Sequence, residues 1–384
     1  MRGLDPAGAA VSFIASPSAH GRSGASSQGR IHNLDGFYPQ LEAYLKSFCD
    51  PEYVRGYDPH DLRGHFALRR GGSENLFGSA DMVYLLHSID ELENRTTPEG
   101  RREWAKFIQS CQDPDTGWFT RRRGIHRMET SLFKEHSTAY AISALRMLGE
   151  EPLHRLESAR SIAESRKSTE RWLESILWIY VWGGSHQGGG LGSALQMTGD
   201  APEEWFDWYF DWLDREVNPE TGLWQRAPWN ALYSRPTRQE MGGAPHFWWV
   251  YHHRGRPLPH PDKIVDTCLS LQLANGMWDS RGYTYCVDLD ALWSIHRAHL
   301  QLRERGIEYR TGDIENGFER YLSAACDILN QPVALQRLYD GAHKLPGAVI
   351  ALAEAEKFFR ETLGEPRLRT PKPLKQVLDL VSWI

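Results

Sequence analysis

The segments FGSADMVYLLHSIDEL (77–92), EHSTAYAISALRML (135–148), GGGLGSALQM (188–197) and GGAPHFWWVYHH (242–253) repeat one design. In each, an apolar pattern with helical spacing follows small or polar residues. Asp81, His136, Leu191 and His246 stand at the same point, 55 residues apart. A fifth copy follows at CVDLDALWSIHRAH (286–299) around Asp288, and a weaker sixth at LPGAVIALAEAEKFF (345–359) from Pro346. A period of this length implies hairpin units that stack into one core, because no unit buries its apolar face alone.

A second class of helix alternates with these: LDGFYPQLEAYLKSF, EGRREWAKFIQSC, STERWLESILWIYVW, EEWFDWYFDWLDREV, PDKIVDTCLSLQ and ENGFERYLSAACDIL. Their apolar residues recur every three to four positions opposite a charged face, so each has one wet side. The first class lacks a polar face and must be covered on most sides. Six pairs of this kind predict an all-α (α/α)6 toroid over residues 34–362, with an inner ring of buried helices inside an amphipathic outer ring. Short hairpins are expected in the loops GMWDSRGYTYCV and GLWQRAPWNALY. Residues 1–33 read as a Gly/Ser/Ala/Pro-rich leader, and 363–384 as a strap ending in a short apolar helix.

Composition narrows the partners. The 384 residues carry 44 Lys and Arg against 50 Asp and Glu, a formal charge of −6 with both signs interspersed. That gives no basis for nucleic-acid binding. No stretch approaches the roughly 18 apolar residues of a membrane helix. Cys49, Cys111, Cys268, Cys286 and Cys326 are scattered without a CxxC pair, which fits neither a disulfide framework nor a zinc ribbon. The leader's only apolar run, AAVSFIA, is a poor secretory signal, so a reduced, cytoplasmic compartment is expected. Fifteen Trp in one chain favour a ligand cleft, since indole faces stack on sugars and line apolar cavities.

The outer helices end in QDPDTGWF (112–119), NPETGLW (218–224) and LQLANGMW (271–278). These turns resemble the Q-x-x-x-G-x-W repeats of terpenoid-cyclase and protein-prenyltransferase toroids. They are also similar to the D-P-E-T-G-x-W turns of (α/α)6 glycoside hydrolases and polysaccharide lyases. The resemblance implies a toroid and leaves the activity open. A structural role for the turns is equally explicit: the glycine supplies a left-handed residue after the helix and the aromatic packs back on the ring.

A toroid gathers the loops that enter its inner helices at one end of its axis. Asp81, Glu135 with His136, His186 with Gln187, His246, and Asp288 with Asp290 then meet there, with Tyr283 and Tyr285 close by. Helix N-termini lower the pKa of a nearby histidine, leaving a neutral imidazole that serves as base or ligand. Asp288 and Asp290 are two residues apart, so only one of them can face the axis. GGSHQGGGLG (183–192) lacks the Walker spacing and its lysine; it reads as a loop whose glycines permit close approach. TRRRGIHR (120–127), with Arg226, Arg235 and Arg238, offers guanidinium forks for carboxylate, sulfate or phosphate.

Two activities fit these residues. A carbohydrate-active enzyme, hydrolase or lyase, would act on an acidic oligosaccharide. Trp118, Trp224, Trp229, Trp248 or Trp278 would stack on sugar, and Arg121, Arg226, His186 and Gln187 would bind it. Hydrolysis needs two carboxylates, drawn from Asp81 and Asp288 or Asp290; elimination needs a base such as His136 or His246, with Tyr285 as acid. Alternatively, DLDA (288–291) resembles the D-x-D-D motif of class II terpenoid cyclases, with Ala291 in place of the last acid and the aromatics Phe247, Trp248 and Trp249 suited to a polyene. No cofactor is required by either. Zinc, as in prenyltransferase toroids, would draw on Asp288, Cys286 and His246, and needs three converging ligands. Copy three displaces its polar pair to His186 and Gln187 and copy six has none, so the ring is expected to have one functional side.

Overall fold

The computed structural model describes residues 30–121, 134–231 and 235–384. Twelve helices carry the fold. They are α1 (Tyr38–Phe48), α2 (Leu76–Ser88), α3 (Pro98–Gln109), α4 (Lys134–Leu148), α5 (Arg166–Ser175), α6 (Val181–Thr198), α7 (Glu203–Glu216), α8 (Arg238–His253), α9 (Pro261–Ser270), α10 (Cys286–Glu304), α11 (Thr311–Leu329) and α12 (Lys344–Phe358). The protein is all-α: the only strands among the described residues are His32–Asn33 and Leu368–Arg369, paired in parallel. The loops expected to form hairpins contain no strand in their described parts; one holds a 3-10 turn at Pro228–Ala231 and the other runs through turns and bends into α10.

The odd-numbered helices bury one stripe each. In α1 it is Leu41, Tyr44, Leu45 and Phe48; in α7 it is Trp205, Phe206, Tyr209, Phe210, Trp212 and Leu213. The even-numbered helices are buried nearly all round: every residue of α2 except His87 is inaccessible. Each of these packs on the next, α2 on α4, α4 on α6, α6 on α8, α8 on α10 and α10 on α12, and α12 returns to α2. Ile31–Ile384 form one unit, the C-terminal strap included.

Two expectations are corrected here. STERWLESILWIYVW is not one helix: α5 stops at Ser175, the chain turns through Trp178–Tyr180, and α6 begins at Val181. The glycine-rich 183–192 stretch therefore lies inside α6 rather than in a loop. A Cβ on Gly189 would stand 2.3 Å from the His246 carbonyl oxygen of α8, and one on Gly190 would stand 2.8 Å from the Glu135 carbonyl carbon of α4. Glycine is used because the neighbouring backbones touch the helix there, and this outweighs its poor helix propensity.

The second correction concerns the strap, which forms no terminal helix. A single 3-10 turn at Val377–Asp379 is all that forms, because the chain's polar groups are taken by the ring. Lys375 N–H donates to Ser88 O at 2.8 Å, the Leu378 carbonyl accepts from His253 Nε2 at 2.8 Å, and Ser382 meets Ser193 at 2.7 Å. Trp383 ends fully buried between the inner helices.

The outer turns behave structurally. Gly117 and Gly276 have φ of 79° and 90°; a Cβ on either would strike a backbone carbonyl, of Arg155 or Arg320. No helix of the described residues is long and apolar enough to cross a membrane.

Candidate active site

The even-numbered helices carry Asp81 (α2), His136 and Tyr140 (α4), Ser185 and His186 (α6), His246 (α8) and Asp290 (α10); hydrogen bonds and ring contacts join all but Asp290 into one cluster, and Asp290 lies beside Trp182. His343, the residue before α12, and Trp383 of the strap complete the cluster. Asp81 is fully buried. Its Oδ1 accepts from the Tyr140 hydroxyl and from His343 Nδ1 at 2.9 Å, whereas its Oδ2 has no protein partner. The imidazoles of His136, His186 and His246 lie face on face, their centroids 4.5 and 4.7 Å apart. The Trp383 ring is 5.0 Å from His246, and its indole N–H donates to His136 Nδ1 at 3.0 Å.

Electrostatics divide these groups. Burial, reinforced by the neighbouring imidazoles, holds His136 and His246 well below the usual histidine range. His186 is pushed down to about 3, by burial first and by His343 second. For His343 burial acts in the same direction, but the charge and hydrogen bond of Asp81 outweigh it and the net shift is upward. Asp290 sits in an apolar pocket with neither oxygen hydrogen-bonded. Burial and the nearby Asp288 and Asp279 push its carboxyl well above the ordinary value, which favours its protonated form. A carboxyl with a raised pKa thus accompanies an Asp–His pair and three imidazoles whose pKa values are lowered.

Asp288 belongs to the scaffold. Its oxygens accept from the N–H groups of Trp278, Asp279 and Tyr285 at 2.7, 3.1 and 3.1 Å, which caps α10. Among the described residues no group of three or more His, Cys, Asp or Glu side chains is placed to hold a metal ion.

Most of the tryptophans expected to stack on sugar are packing residues. Trp224, Trp248 and Trp278 are fully buried and Trp118 is 4% exposed. The indoles of Trp224 and Trp278 donate to the carbonyls of Leu213 and Cys268 in the outer helices, and Lys134 covers Trp118. Trp278 nevertheless lines the cleft described below, and Trp229 is exposed. Arg226 is tied to Glu216 and lies over Trp178 and Trp212, so it binds the outer shell together. Arg121 lies 5.6 Å over Phe77, whose ring is 5.4 Å from His136, and its charge acts on His136. The rest of the TRRRGIHR cluster, from Arg122, lies outside the described residues. Gln187 is half-buried on α6.

Beside these residues is a cleft of about 400 Å³ whose lining includes Tyr180, Trp182, Arg238, Trp278, Arg281 and Tyr285, with Asp279 3.8 Å from Arg281. Trp182 connects the two through its indole N–H, which donates to His186 Nε2 at 3.2 Å. Tyr285 connects them at the other side, its ring 6.4 Å from His343 and beneath the Arg281 guanidinium. His343 and Tyr140 were missed in the sequence. Tyr140 carries the i, i+4 signal from His136. The sixth repeat is not without a polar residue; His343 stands three positions ahead of Pro346, so the repeat register hides it. No protein-family model matches the chain, and no curated protein matches it in sequence.

Proposed function

We propose that the chain is an (α/α)6-toroid enzyme that hydrolyses a glycosidic bond in an acidic saccharide, with Asp290 as proton donor and Asp81 as the opposing carboxylate. The observation that carries this reading is the Asp290 carboxyl: buried, without a hydrogen-bond partner and with its pKa raised. A carboxylic acid of this kind protonates a leaving glycosidic oxygen as the C–O bond breaks. Asp81, fixed by Tyr140 and His343 through one oxygen, keeps Oδ2 available. That oxygen takes the proton of the water whose hydroxyl joins the anomeric carbon. Asp81 then releases that proton to solvent and Asp290 takes one up, which restores both carboxyls.

The neighbouring cleft supplies the recognition. Trp182, Tyr180 and Tyr285 offer aromatic surface, and Arg238 and Arg281 offer cations for a uronate carboxylate, a pairing suited to two-point binding. The test is a panel of uronate-containing oligosaccharides with purified protein. New reducing ends, lost by at least 100-fold in Asp290→Asn, support hydrolysis. An unsaturated uronate chromophore would instead mean elimination.

One observation favours a second reading, a terpenoid-cyclase-like protonation. Asp290 is the second acid of DLDA and stands near Trp182, since a Cβ on Gly242 would approach both the Trp182 ring and Asp290 Oδ2. A neutral acid against aromatic surface suits protonation of an alkene. Turnover of a polyprenyl substrate, with all saccharides inert, would establish it.

A further inference from the structure

The hydrogen bonds around the three stacked imidazoles determine where each proton sits. An indole N–H donates and cannot accept. Trp383 Nε1 points at His136 Nδ1, so that nitrogen is bare and the proton of neutral His136 is on Nε2. Trp182 Nε1 points at His186 Nε2, so His186 carries its proton on Nδ1. The Ser185 hydroxyl spends its one hydrogen on the Trp182 carbonyl at 2.7 Å. With its hydrogen there, it accepts from His246 Nδ1, also at 2.7 Å, and His246 Nε2 is bare; the reverse donation, Ser185 to His246 Nδ1, would put the His246 proton on Nε2. Protonating His136 or His186 would put two hydrogens between the same pair of nitrogens, and this agrees with the depressed pKa values of both rings.

We propose that Trp383 and Trp182 are positioning residues that fix the tautomers of His136 and His186, so that the cluster presents His136 Nε2–H as donor and His246 Nε2 as acceptor to an uncharged hydroxyl group of the substrate. The hydroxyl assignment rests on the saccharide reading above; the tautomers do not. A donor and an acceptor held in one stack complement a sugar hydroxyl, which is both. The substrate's carboxylate is left to Arg238 and Arg281. Because Trp383 comes from the strap, the site is incomplete without the C-terminal residues that thread into the ring. The groups facing His136 are His186, His246, His343, Arg121, Phe77 and Tyr140.

Long-range ¹H–¹⁵N NMR of the full chain with labelled histidine tests this without any substrate, with a His136→Gln spectrum assigning the signal. Wild type is expected to show neutral His136 in the Nε2–H form, and His186 and His246 in the Nδ1–H form, between pH 6 and 8. Trp383→Phe keeps the buried ring and removes the donor; His136 alone should then mix tautomers or titrate. His136 in the Nδ1–H form in wild type, or unmoved by Trp383→Phe, overturns the proposal. If that variant does not fold, Trp182→Phe poses the same question at His186. Fixed tautomers in a protein inert on every saccharide would remove the saccharide reading alone. Saccharide hydrolysis unchanged in kcat and KM in Trp383→Phe would remove the positioning role alone.

Discussion

Asp81 and His343, 262 residues apart in the chain, meet at 2.9 Å across the junction of the first and last inner helices. Tyr140 donates to the same carboxylate oxygen. The pair joins α12 to α2, where the sequence of inner-helix contacts returns to its beginning, and it also orients the Asp81 oxygen assigned to catalysis. One hydrogen bond therefore links the last of these helices to the first and fixes one oxygen of Asp81, while Oδ2 has no protein partner.

Asp81→Asn should destabilise the protein in a pH-dependent way. His343 is raised above its ordinary value by Asp81. The resulting stability is whole below its unfolded pKa, about 6.5, and is lost as pH rises through the folded pKa. Asparagine keeps an acceptor for Tyr140, so the expected loss is about 1–2 kcal/mol at pH 6, falling toward zero by pH 9. Thermal unfolding at both pH values measures it; an equal loss at each would show that the pair is not charged.

Asp290→Asn should have the opposite effect on stability while abolishing activity. A carboxyl with a raised folded pKa keeps a proton that the unfolded chain releases. Wild-type stability therefore falls as pH rises from about 4. Removing the acid lifts that penalty, with an expected gain of about 1–3 kcal/mol at pH 7.5 that shrinks toward pH 4. Melting curves across that range check the sign. A variant less stable than wild type at pH 7.5 would mean that Asp290 has a partner.

What the sequence made legible was periodic. Apolar spacing located the helices except the end of α5 and the first half of α6, and the repeat register picked out Asp81, His136 and His246, because one position in a repeat recurs at the same point of successive packed helices. It missed His343, which reaches the same cluster from before its helix, and Trp383, which arrives by threading through the ring. Composition could not sort the tryptophans. An indole that packs an outer turn and one that lines a cleft look alike in sequence; Trp224 is fully buried, while Trp278 is bonded to the Cys268 carbonyl and also lines the cleft. Glycine-rich 183–192 misled for a related reason: local propensity reads it as a loop, while the contacts that make it a helix lie on α4 and α8.

Glu354 anchors the opposite end of the ring to the strap. It is fully buried, bonded to His296 Nδ1 at 2.6 Å and to Gln376 of the strap. Burial alone would raise its pKa, but the His296 charge and hydrogen bond bring it down to about 2. Its stabilisation is therefore present above the unfolded value of about 4.3 and is lost as pH falls through 2. Glu354→Gln leaves His296 without its counter-charge and should cost about 2–4 kcal/mol at pH 6. Urea unfolding at pH 6 and pH 3 should show that gap narrowing at the lower pH; a constant gap would mean the pair is uncharged.

Gly189→Ala should reverse the usual sign of its substitution. In a helix interior, alanine normally gains about 0.5–1 kcal/mol over glycine. Gly189 is inside α6, yet its Cβ would stand 2.3 Å from the oxygen and 2.6 Å from the carbon of the His246 carbonyl. Those atoms are main chain of α8 and cannot rotate away, so the helices must separate. Overpacking of this kind costs about 1–3 kcal/mol. Because the displaced residue is His246 itself, its bond to Ser185 should loosen at the same time, and substrate turnover should fall further than stability. Gly312→Ala is the control: it lies in α11 with no atom near its Cβ position and should be neutral or stabilising. If both variants melt alike, the close approach of α6 and α8 is not what requires glycine at 189.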